Sequence, residues 1–234
     1  MSDPLRVVSW NIRFGVEVDA AVDELVRVDE LVHPDLLLLQ EMDEDGSERI
    51  ASALGARFVY WSVAAHRKSD RPFGNAIVSP WPITEWAAVE LPHVAPVSGH
   101  PRAAVRARLR IHERDVVAYS VHTETAALRL ARRIDQFQRI ADDVRDQGLA
   151  NVIVGGDFNT VTARGVSALV GVFASSGLDR AGATAGGSFR RAGRTISLDH
   201  LFVAGFETSN AGVVSSTAAS DHLPLWAELR MLDR

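Results

Sequence analysis

The segment Gly155-Gly156-Asp157-Phe158-Asn159 follows a short apolar run and carries the sharpest chemical signal in this sequence. Its glycines permit a tight exit from a strand. The two polar side chains, separated by Phe158, are expected on one side of the strand end. A carboxylate and an amide held together there can orient an attacking water and bind the oxyanion of a phosphoryl group. An ordinary Asp/Asn turn has the same composition, so the segment alone leaves both interpretations open.

Two Asp-His pairs stand in the last forty residues, in Leu198-Asp199-His200 and Ser220-Asp221-His222. Histidine changes its charge near neutral pH, and a carboxylate partner keeps it oriented or protonated. Such a pair could stabilise a pentacoordinate phosphorus or protonate a leaving oxygen. His200 falls within a strand pattern, so a packed structural histidine is the alternative for that residue.

Three further polar residues end apolar runs, namely Asn11, Glu41 and His122. A carboxylate at the end of a buried strand suits a hard cation, because such cations take oxygen ligands. Each residue also has a simpler interpretation. Asn11 could form a turn before Gly15, Glu41 could be a solvated helix-capping acid, and His122 could be a core or capping histidine.

The apolar pattern predicts the elements that must position these residues. Strands are expected at Arg6–Ile12, Asp35–Glu41, Phe58–Val63, Asn75–Ser79, Ile83–Glu90, Val105–Ile111, Val116–Val121, Asn151–Val154, Ser197–Val203, Glu207–Val214 and Leu225–Met231. Helices are expected at Ala20–Val32, Glu48–Leu54, Ala126–Gln147 and Gly165–Ser175, and a loop at Gly182–Gly187. Because strands and helices are intermixed and no long linker interrupts them, we expect packed sheets flanked by helices in one domain spanning 1–234.

Composition excludes several classes of function. The 234 residues are 47% hydrophobic and 24% charged, as in an ordinary globular protein. The absence of cysteine removes disulfides, thiolate metal sites and cysteine nucleophiles. No apolar run approaches the ~20 residues that span a bilayer, and the chain enters a strand pattern too early for a signal peptide. We therefore expect a cytoplasmic monomer, and a net charge of −5 gives no general attraction for nucleic acid.

Together and in this order, the polar segments resemble the endonuclease/exonuclease/phosphatase family, also called the DNase I-like superfamily. The resemblance covers nearly the whole chain and is carried by Ser9-Trp-Asn-Ile, Leu39-Gln-Glu, Gly74-Asn-Ala-Ile-Val-Ser, Val121-His-Thr, Val154-Gly-Gly-Asp-Phe-Asn, Leu198-Asp-His-Leu-Phe-Val and Ser220-Asp-His-Leu-Pro. It implies an α/β (α+β) fold, a four-layer α/β/β/α sandwich of two mixed sheets with helices outside. The active site would lie at one end of the sandwich.

The resemblance also implies the use of Mg²⁺ or Mn²⁺. Glu41 would be the principal metal ligand, and Asn11 and Asp221 would line the metal site directly or through water. Asp157 would orient or deprotonate the nucleophilic water. Asn159 would hold a phosphate oxygen.

Five more residues take roles from the same resemblance. Asp199 would pair with His222, the histidine that stabilises the transition-state oxygens, and His122 would lie near the leaving group. Asn75 and Arg102 match less specific segments and would contact the substrate. The simpler interpretations are a turn asparagine and a surface guanidinium.

The predicted function is a metal-dependent phosphoester hydrolase, as a phosphodiesterase, nuclease or phosphatase. Nucleic acid, phospholipid, inositol phosphate and small phosphodiesters all stay open as substrates, and the compact chain favours a small or unspecific phosphodiester. The arginines at 106, 108 and 110 could contact a polyanion, but an exposed sheet face is the expected interpretation. A catalytically silent scaffold or ligand-binding protein of the same fold is the alternative. Such a relative would be expected to lose metal or water-positioning residues, and none is missing here.

Overall fold

A computed structural model of the protein describes residues 4–65, 71–183, 185–191 and 193–233. Its strands are β1 (Leu5–Asn11), β2 (Leu36–Met42), β3 (Arg57–Ala65), β4 (Pro72–Ser79), β5 (Ile83–Leu91), β6 (Arg102–Ile111), β7 (Arg114–His122), β8 (Val152–Asp157), β9 (Asp179–Ala181), β10 (Phe189–Arg191), β11 (Arg194–Ile196), β12 (Asp199–Ala204), β13 (Phe206–Val213) and β14 (Leu225–Met231). Its helices are α1 (Val18–Arg27), α2 (Glu44–Ala53), α3 (Leu130–Gln147) and α4 (Ala163–Ala174), with a 3₁₀ turn at Arg13–Gly15.

Two mixed six-stranded sheets form the centre of the fold. The first has the strand order β13-β14-β1-β2-β4-β3, and the second has the order β5-β6-β7-β8-β12-β9. Strands β10 and β11 form a separate hairpin. None of the helices in the described part of the chain has the length and apolarity needed to cross a membrane.

Side chains that alternate in direction along the central strands contribute to three apolar layers. In β2, Leu36 and Leu38 point into the core between the two sheets, whereas Leu37 and Leu39 point outward beneath α1 and α2. This two-sided burial explains the uninterrupted run of leucines. On the second sheet, α3 and α4 cover the outer face through side chains such as Phe137 and Phe173. The predicted α/β/β/α sandwich is confirmed.

Each sheet contains one parallel strand pair joined by a segment that contains a helix. In the first sheet β1 leads through α1 to β2, and Asn11 lies opposite Gln40 at the end of the pair. In the second sheet β7 leads through α3 to β8, and His122 lies opposite Asp157. Since parallel strands end at the same edge of a sheet, each unit delivers two polar segments to one place.

All four helices differ from the predicted bounds: α1 and α4 begin two residues early, and the starts of α2 and α3 are each four residues off. Helix α1 also ends at Arg27 and not at Val32, because Val28 has extended backbone (ψ 120°). Helix α2 begins at Glu44 because Asp43 caps it, accepting a hydrogen bond from the backbone of Gly46 at 2.9 Å. Helix α3 begins at Leu130 and not at 126, because Arg129 has extended backbone (ψ 145°). The three-residue strands β9, β10 and β11 were not predicted, since so short a run carries no readable periodicity.

Candidate active site

A pocket of about 430 Å³ opens at the edge where the two parallel strand pairs end. Seven of the ten predicted site residues line it: Glu41, Arg102, His122, Asp157, Asn159, Asp221 and His222. The apolar part of the wall includes Phe14, Val161, Phe189, Ile196 and Leu198. Of the other three predicted residues, Asn11 and Asp199 touch the lining residues from behind. The third, Asn75, lies between the sheets.

Asp157 reaches the pocket because β8 passes very close to β7. Gly156 has φ 154°, and a Cβ at this position would lie 1.9 Å from the carbonyl oxygen of Val121. Only glycine therefore permits this approach. The buried carboxylate that follows accepts hydrogen bonds from the backbone N–H of Asn159 at 2.9 Å and from the side chain of Asn11 at 3.2 Å. These two donors fix the direction of Asp157.

The loop after Asp157 is held by the segment after β7 and by α3. Asn159 has φ 51°, a left-handed conformation that asparagine tolerates. Its Nδ2 donates to the carbonyl oxygen of Thr123 at 3.0 Å. Its own carbonyl oxygen accepts a bond of 2.7 Å from the guanidinium of Arg133, a buried side chain on α3. Sequence reasoning missed Arg133, because an arginine in an amphipathic helix is normally solvated.

His222 belongs to a buried array of three groups. Its Nδ1 lies 2.9 Å from Asp199 Oδ2, and its Nε2 lies 3.8 Å from Asp157 Oδ2. Burial alone would lower the pKa of His222, but the charges of Asp199 and Asp157 outweigh it and raise this pKa to about 10. Burial raises the pKa of Asp157 to about 7 despite the nearby His222. At neutral pH the array therefore holds an imidazolium next to a carboxyl group able to take up a proton.

The ligand atoms of Asp157, Asp199 and His222 lie within 4.8 Å of one another, a spacing that would also permit an ion. The facing atoms of Asp199 and His222, however, are already engaged with each other in the 2.9 Å hydrogen bond. We therefore interpret the group as a proton-holding array. The ring of Phe189 packs on the imidazole of His222 with a centroid distance of 4.7 Å and helps to fix it.

His122 approaches the same carboxylate oxygen of Asp157 as His222 does. Its Nε2 is 3.6 Å from Asp157 Oδ2 and 3.9 Å from Glu41 Oε1. Arg102 Nη1 is 3.3 Å from Nδ1 and 3.2 Å from Nε2 of the ring. An atom nearly equidistant from both nitrogens at this range must lie over the ring face, since in the ring plane it would collide with Cε1. Burial, followed by the charges of Arg102 and His222, holds the pKa of His122 well below its usual range, so the ring is neutral.

Glu41 is turned into the pocket by an irregularity in β2. The residue has φ 54°, and the pairing of β2 with β4 shifts register between Gln40 and Met42. Burial raises the pKa of Glu41 even though the charges of His222 and Arg102 oppose the rise, and the nearby Asp221 adds to it only slightly. Two carboxylates in a poorly hydrated place are unfavourable unless a cation joins them. This oxygen-rich set fits a hard divalent ion, as the resemblance implied.

Asn11 and Asn75 serve as connections behind the pocket. Asn11 Oδ1 accepts a bond of 3.0 Å from the backbone of Arg13, while its Nδ2 faces Asp157. Asn75 Nδ2 donates to the carbonyl oxygen of Ala103 at 2.7 Å and thereby ties β4 to β6 across the two sheets. Asn75 is not among the lining residues of the pocket. A direct substrate contact by Asn75 thus has no support in its placement.

His200 is the one remaining histidine of the two Asp-His pairs. It is buried, its Nε2 lies 2.6 Å from Thr160 Oγ1, and its ring packs near Phe158 and Phe202. Burial lowers its pKa to about 3. His200 is therefore a packed neutral histidine, the simpler of its two interpretations.

Comparison with known proteins adds a family and a fold. A model of the Endonuclease/Exonuclease/phosphatase family matches residues 8–222. An endonuclease/exonuclease/phosphatase from Beutenbergia cavernae is similar to this chain with a TM-score of 0.79 at 19% identity, over 99% of this chain and 72% of that one. A mannosyl-6-phosphatase from Bacteroides thetaiotaomicron has a TM-score of 0.74 at 19% identity, over 97% and 100%. The human Nocturnin catalytic domain, with bound sulfate, has a TM-score of 0.76 at 20% identity, over 98% and 94%. At these identities the three structures establish the fold alone, and no curated protein sequence matches the chain.

Proposed function

The chain belongs to the endonuclease/exonuclease/phosphatase family, and from this premise we propose that it is a Mg²⁺- or Mn²⁺-dependent phosphoester hydrolase. The observation that carries the proposal is the buried array in which Asp199 fixes His222 beside Asp157. A phosphoryl transfer to water needs an oriented nucleophile, compensation of negative charge and help for the leaving oxygen. The pocket offers a side chain for each of these needs.

In the proposed reaction, the oxygen of a water molecule forms a bond to phosphorus while the ester P–O bond breaks. Asp157 orients this water and accepts its proton, which its raised pKa of about 7 favours. The imidazolium of His222 stabilises the negative charge on the phosphoryl oxygens, and Asp199 keeps that ring charged and aligned. The leaving oxygen departs with the electron pair of the broken P–O bond. The neutral ring of His122 donates a hydrogen bond to it, and a proton from solvent completes the alcohol. Arg102 and Asn159, whose Nδ2 is held by the carbonyl oxygen of Thr123, contact the phosphate.

Glu41 would be the principal ligand of the divalent ion, and Asn11 and Asp221 would line the ion site directly or through water. When bound, the ion supplies positive charge for the phosphate oxygens. The backbone bulge that directs Glu41 into the pocket supports this assignment. A positive φ costs free energy in any residue other than glycine, and such strained residues cluster at functional sites.

A compact substrate suits this pocket better than a polynucleotide. Among the described lining residues the arginines are Arg13 and Arg102. The arginine row on β6 is engaged within the protein: Arg106 pairs with Asp143 and Glu85, Arg108 with Glu85, and Arg110 with Asp115 and Glu113. The apolar wall made by Phe14, Phe189 and Ile196 offers a place for an uncharged organic group next to the phosphate. We therefore propose a small phosphodiester or phosphomonoester with an apolar substituent.

The catalytically silent scaffold is the less favoured function. A protein that only binds a partner has no need for an imidazolium held beside a carboxyl group whose pKa is about 7. Perturbed pKa values of this kind cluster at functional sites. The convergence of seven predicted residues on one pocket also favours an enzyme.

Hydrolysis of bis-p-nitrophenyl phosphate, DNA, RNA, sphingomyelin and a phosphoinositide, each with Mg²⁺, Mn²⁺ or EDTA, tests the proposal. We expect metal-dependent turnover that is highest on the small diester and is lost in Asp157→Asn and His222→Ala. Activity that survives EDTA, or that both substitutions leave intact, would refute the mechanism. A clear preference for DNA or RNA would refute the substrate assignment alone.

A further inference from the structure

A buried carboxylate lies directly behind the pocket and has no part in the proposed mechanism. Glu124 follows His122 by two residues and is 0% exposed. Its Oε1 accepts a bond of 2.8 Å from the backbone of Thr125, and its Oε2 accepts one of 2.7 Å from the hydroxyl of Ser98. The backbone N–H of Glu124 donates to Gln136 Oε1 on α3 at 2.9 Å. Two hydrogen bonds thus fix the carboxylate, and the third holds the backbone of Glu124 against α3.

The remaining contact of this carboxylate is with Arg102, which does line the pocket. Arg102 Nη2 lies 3.3 Å from Glu124 Oε1, while Nη1 lies over the ring of His122. Only 11% of the arginine side chain is exposed. One edge of the guanidinium is therefore anchored on a rigid buried acid, and the other edge reaches the reacting part of the pocket.

A buried charge is costly, so the presence of Glu124 needs a compensating gain. Although burial alone would raise the pKa of Glu124, the charge of Arg102 and the bonds from Ser98 and Thr125 outweigh it and lower this pKa. The carboxylate of Glu124 is therefore ionised and forms an ion pair with Arg102. Arginine has several rotatable bonds, and a fixed partner removes most of the orientations that would carry the guanidinium away from a bound phosphate.

We propose that Glu124 is a positioning residue that holds Arg102 across the face of His122, so that the guanidinium is set in place for a phosphoryl oxygen before substrate binds. This inference rests on the proposed function, because Arg102 is assigned to the substrate there. Glu124 touches no reacting atom. Its effect on the reaction passes entirely through Arg102.

A double-mutant cycle with Glu124→Gln and Arg102→Ala tests this. Glutamine keeps the size of the side chain and can still accept from Thr125, but it cannot form the ion pair. We expect Glu124→Gln to lower kcat/KM on bis-p-nitrophenyl phosphate about tenfold, mostly through a higher KM, and Arg102→Ala to lower it about 100-fold. In the Arg102→Ala background, Glu124→Gln should have no further effect, because the residue through which it acts is gone. Asp115→Asn is the matched control, since Asp115 pairs with Arg110 at the exposed end of the same hairpin.

Additive effects in the cycle would overturn the proposal, because they would mean that Glu124 acts on the fold in general and not on Arg102. Urea unfolding of each variant separates the two cases, since a structural role would persist in both backgrounds. If the wild-type protein hydrolyses no phosphoester, the proposed function fails by itself. The same cycle is then measured as affinity for inorganic phosphate. Loss of the Glu124→Gln effect in the Arg102→Ala background supports positioning there too, and additivity overturns it.

Discussion

The unit β1–α1–β2 in the first sheet and the unit β7–α3–β8 in the second sheet have the same local topology but supply different chemistry. The first ends in Asn11 and Glu41, which offer oxygen donors for a cation. The second ends in His122 and Asp157, a neutral imidazole and a carboxylate that can accept a proton. Parallel strands joined by a crossover create a shared edge in both units. The comparison shows that the topology determines where the site lies, whereas the side chains at the strand ends determine whether that part of the site binds a cation or transfers a proton.

The two units also turn their acidic side chain into the pocket by different backbone devices. In β2 a register shift and a positive φ bring Glu41 inward, and 17% of its side chain is exposed. In β8 the close approach at Gly156 carries Asp157 inward, and 3% of its side chain is exposed. The more exposed acid is better placed to receive an ion from solution. The more buried one is better placed to hold an unusual pKa.

The largest expected effect is on kcat and comes from a substitution in the second unit, β7–α3–β8, alone. Asp157→Asn removes the proton acceptor but keeps the size of the side chain, so kcat should fall about 10²- to 10⁴-fold. Binding of Mn²⁺, measured by calorimetry, should change little. If Asp157→Asn weakens Mn²⁺ binding as strongly as a change at Glu41 does, the proposed division of labour between the units is wrong.

The corresponding substitution in the first unit, β1–α1–β2, is expected to impair metal binding. Glu41→Gln removes the charge of the proposed principal metal ligand, and the affinity for Mg²⁺ and Mn²⁺ should fall at least about 10- to 100-fold. Activity at low metal concentration should be lost and should return in part when the metal concentration is raised. Glu44→Gln, at the exposed start of α2, is the control and should leave both quantities unchanged. Unaltered metal affinity in Glu41→Gln would place the ion elsewhere.

A third change tests the backbone device of the second unit. Gly156→Ala would force a Cβ against the carbonyl oxygen of Val121, and the free energy of unfolding should fall by roughly 2–4 kcal/mol. Gly171→Ala in α4, where a Cβ meets nothing within 4 Å, should instead raise it by about 0.5–1 kcal/mol. Urea unfolding at neutral pH measures both. Equal stabilities of the two variants would show that β7 and β8 do not depend on this approach.

The smallest expected effect concerns His200, which supports the second unit from β12. Its folded pKa of about 3 is below the ordinary value of 6.5, so the unfolded chain binds the proton more readily between these values. Its stabilising contribution is complete above pH 6.5 and is lost as the pH falls from 6.5 toward 3. Between pH 7.5 and pH 5 this amounts to about 1–2 kcal/mol in the free energy of unfolding. His200→Gln should remove that portion of the pH dependence, whereas His33→Asn, at an exposed position, should keep it. A pH dependence unchanged in His200→Gln would show that His200 is not titrating on unfolding.

Much of the fold was predictable because a strand that is buried on both faces consists of consecutive apolar residues, and such a run can be recognised in the sequence. The runs that became β2 and β8 are short and apolar, and their ends are marked by Glu41 and Asp157. The family resemblance and the layered sandwich are both confirmed. The starts of α2 and α3 were misplaced, since the cap at Asp43 and the extended Arg129 depend on local contacts that periodicity does not report. The idea of an exposed arginine face on β6 was wrong at Arg106, whose side chain is only 15% exposed and is paired with Asp143 on α3.

The sequence by itself determined which side chains could do chemistry and that they follow strands, because both properties are local along the chain. Only the tertiary structure decided which of them meet. Glu124 reaches Arg102 across 22 positions, and His222 reaches Asp199 across 23. Asn75, which matched a family segment, became a tie between the sheets. Contacts between distant residues depend on how two sheets pack, and no spacing within one element encodes that packing.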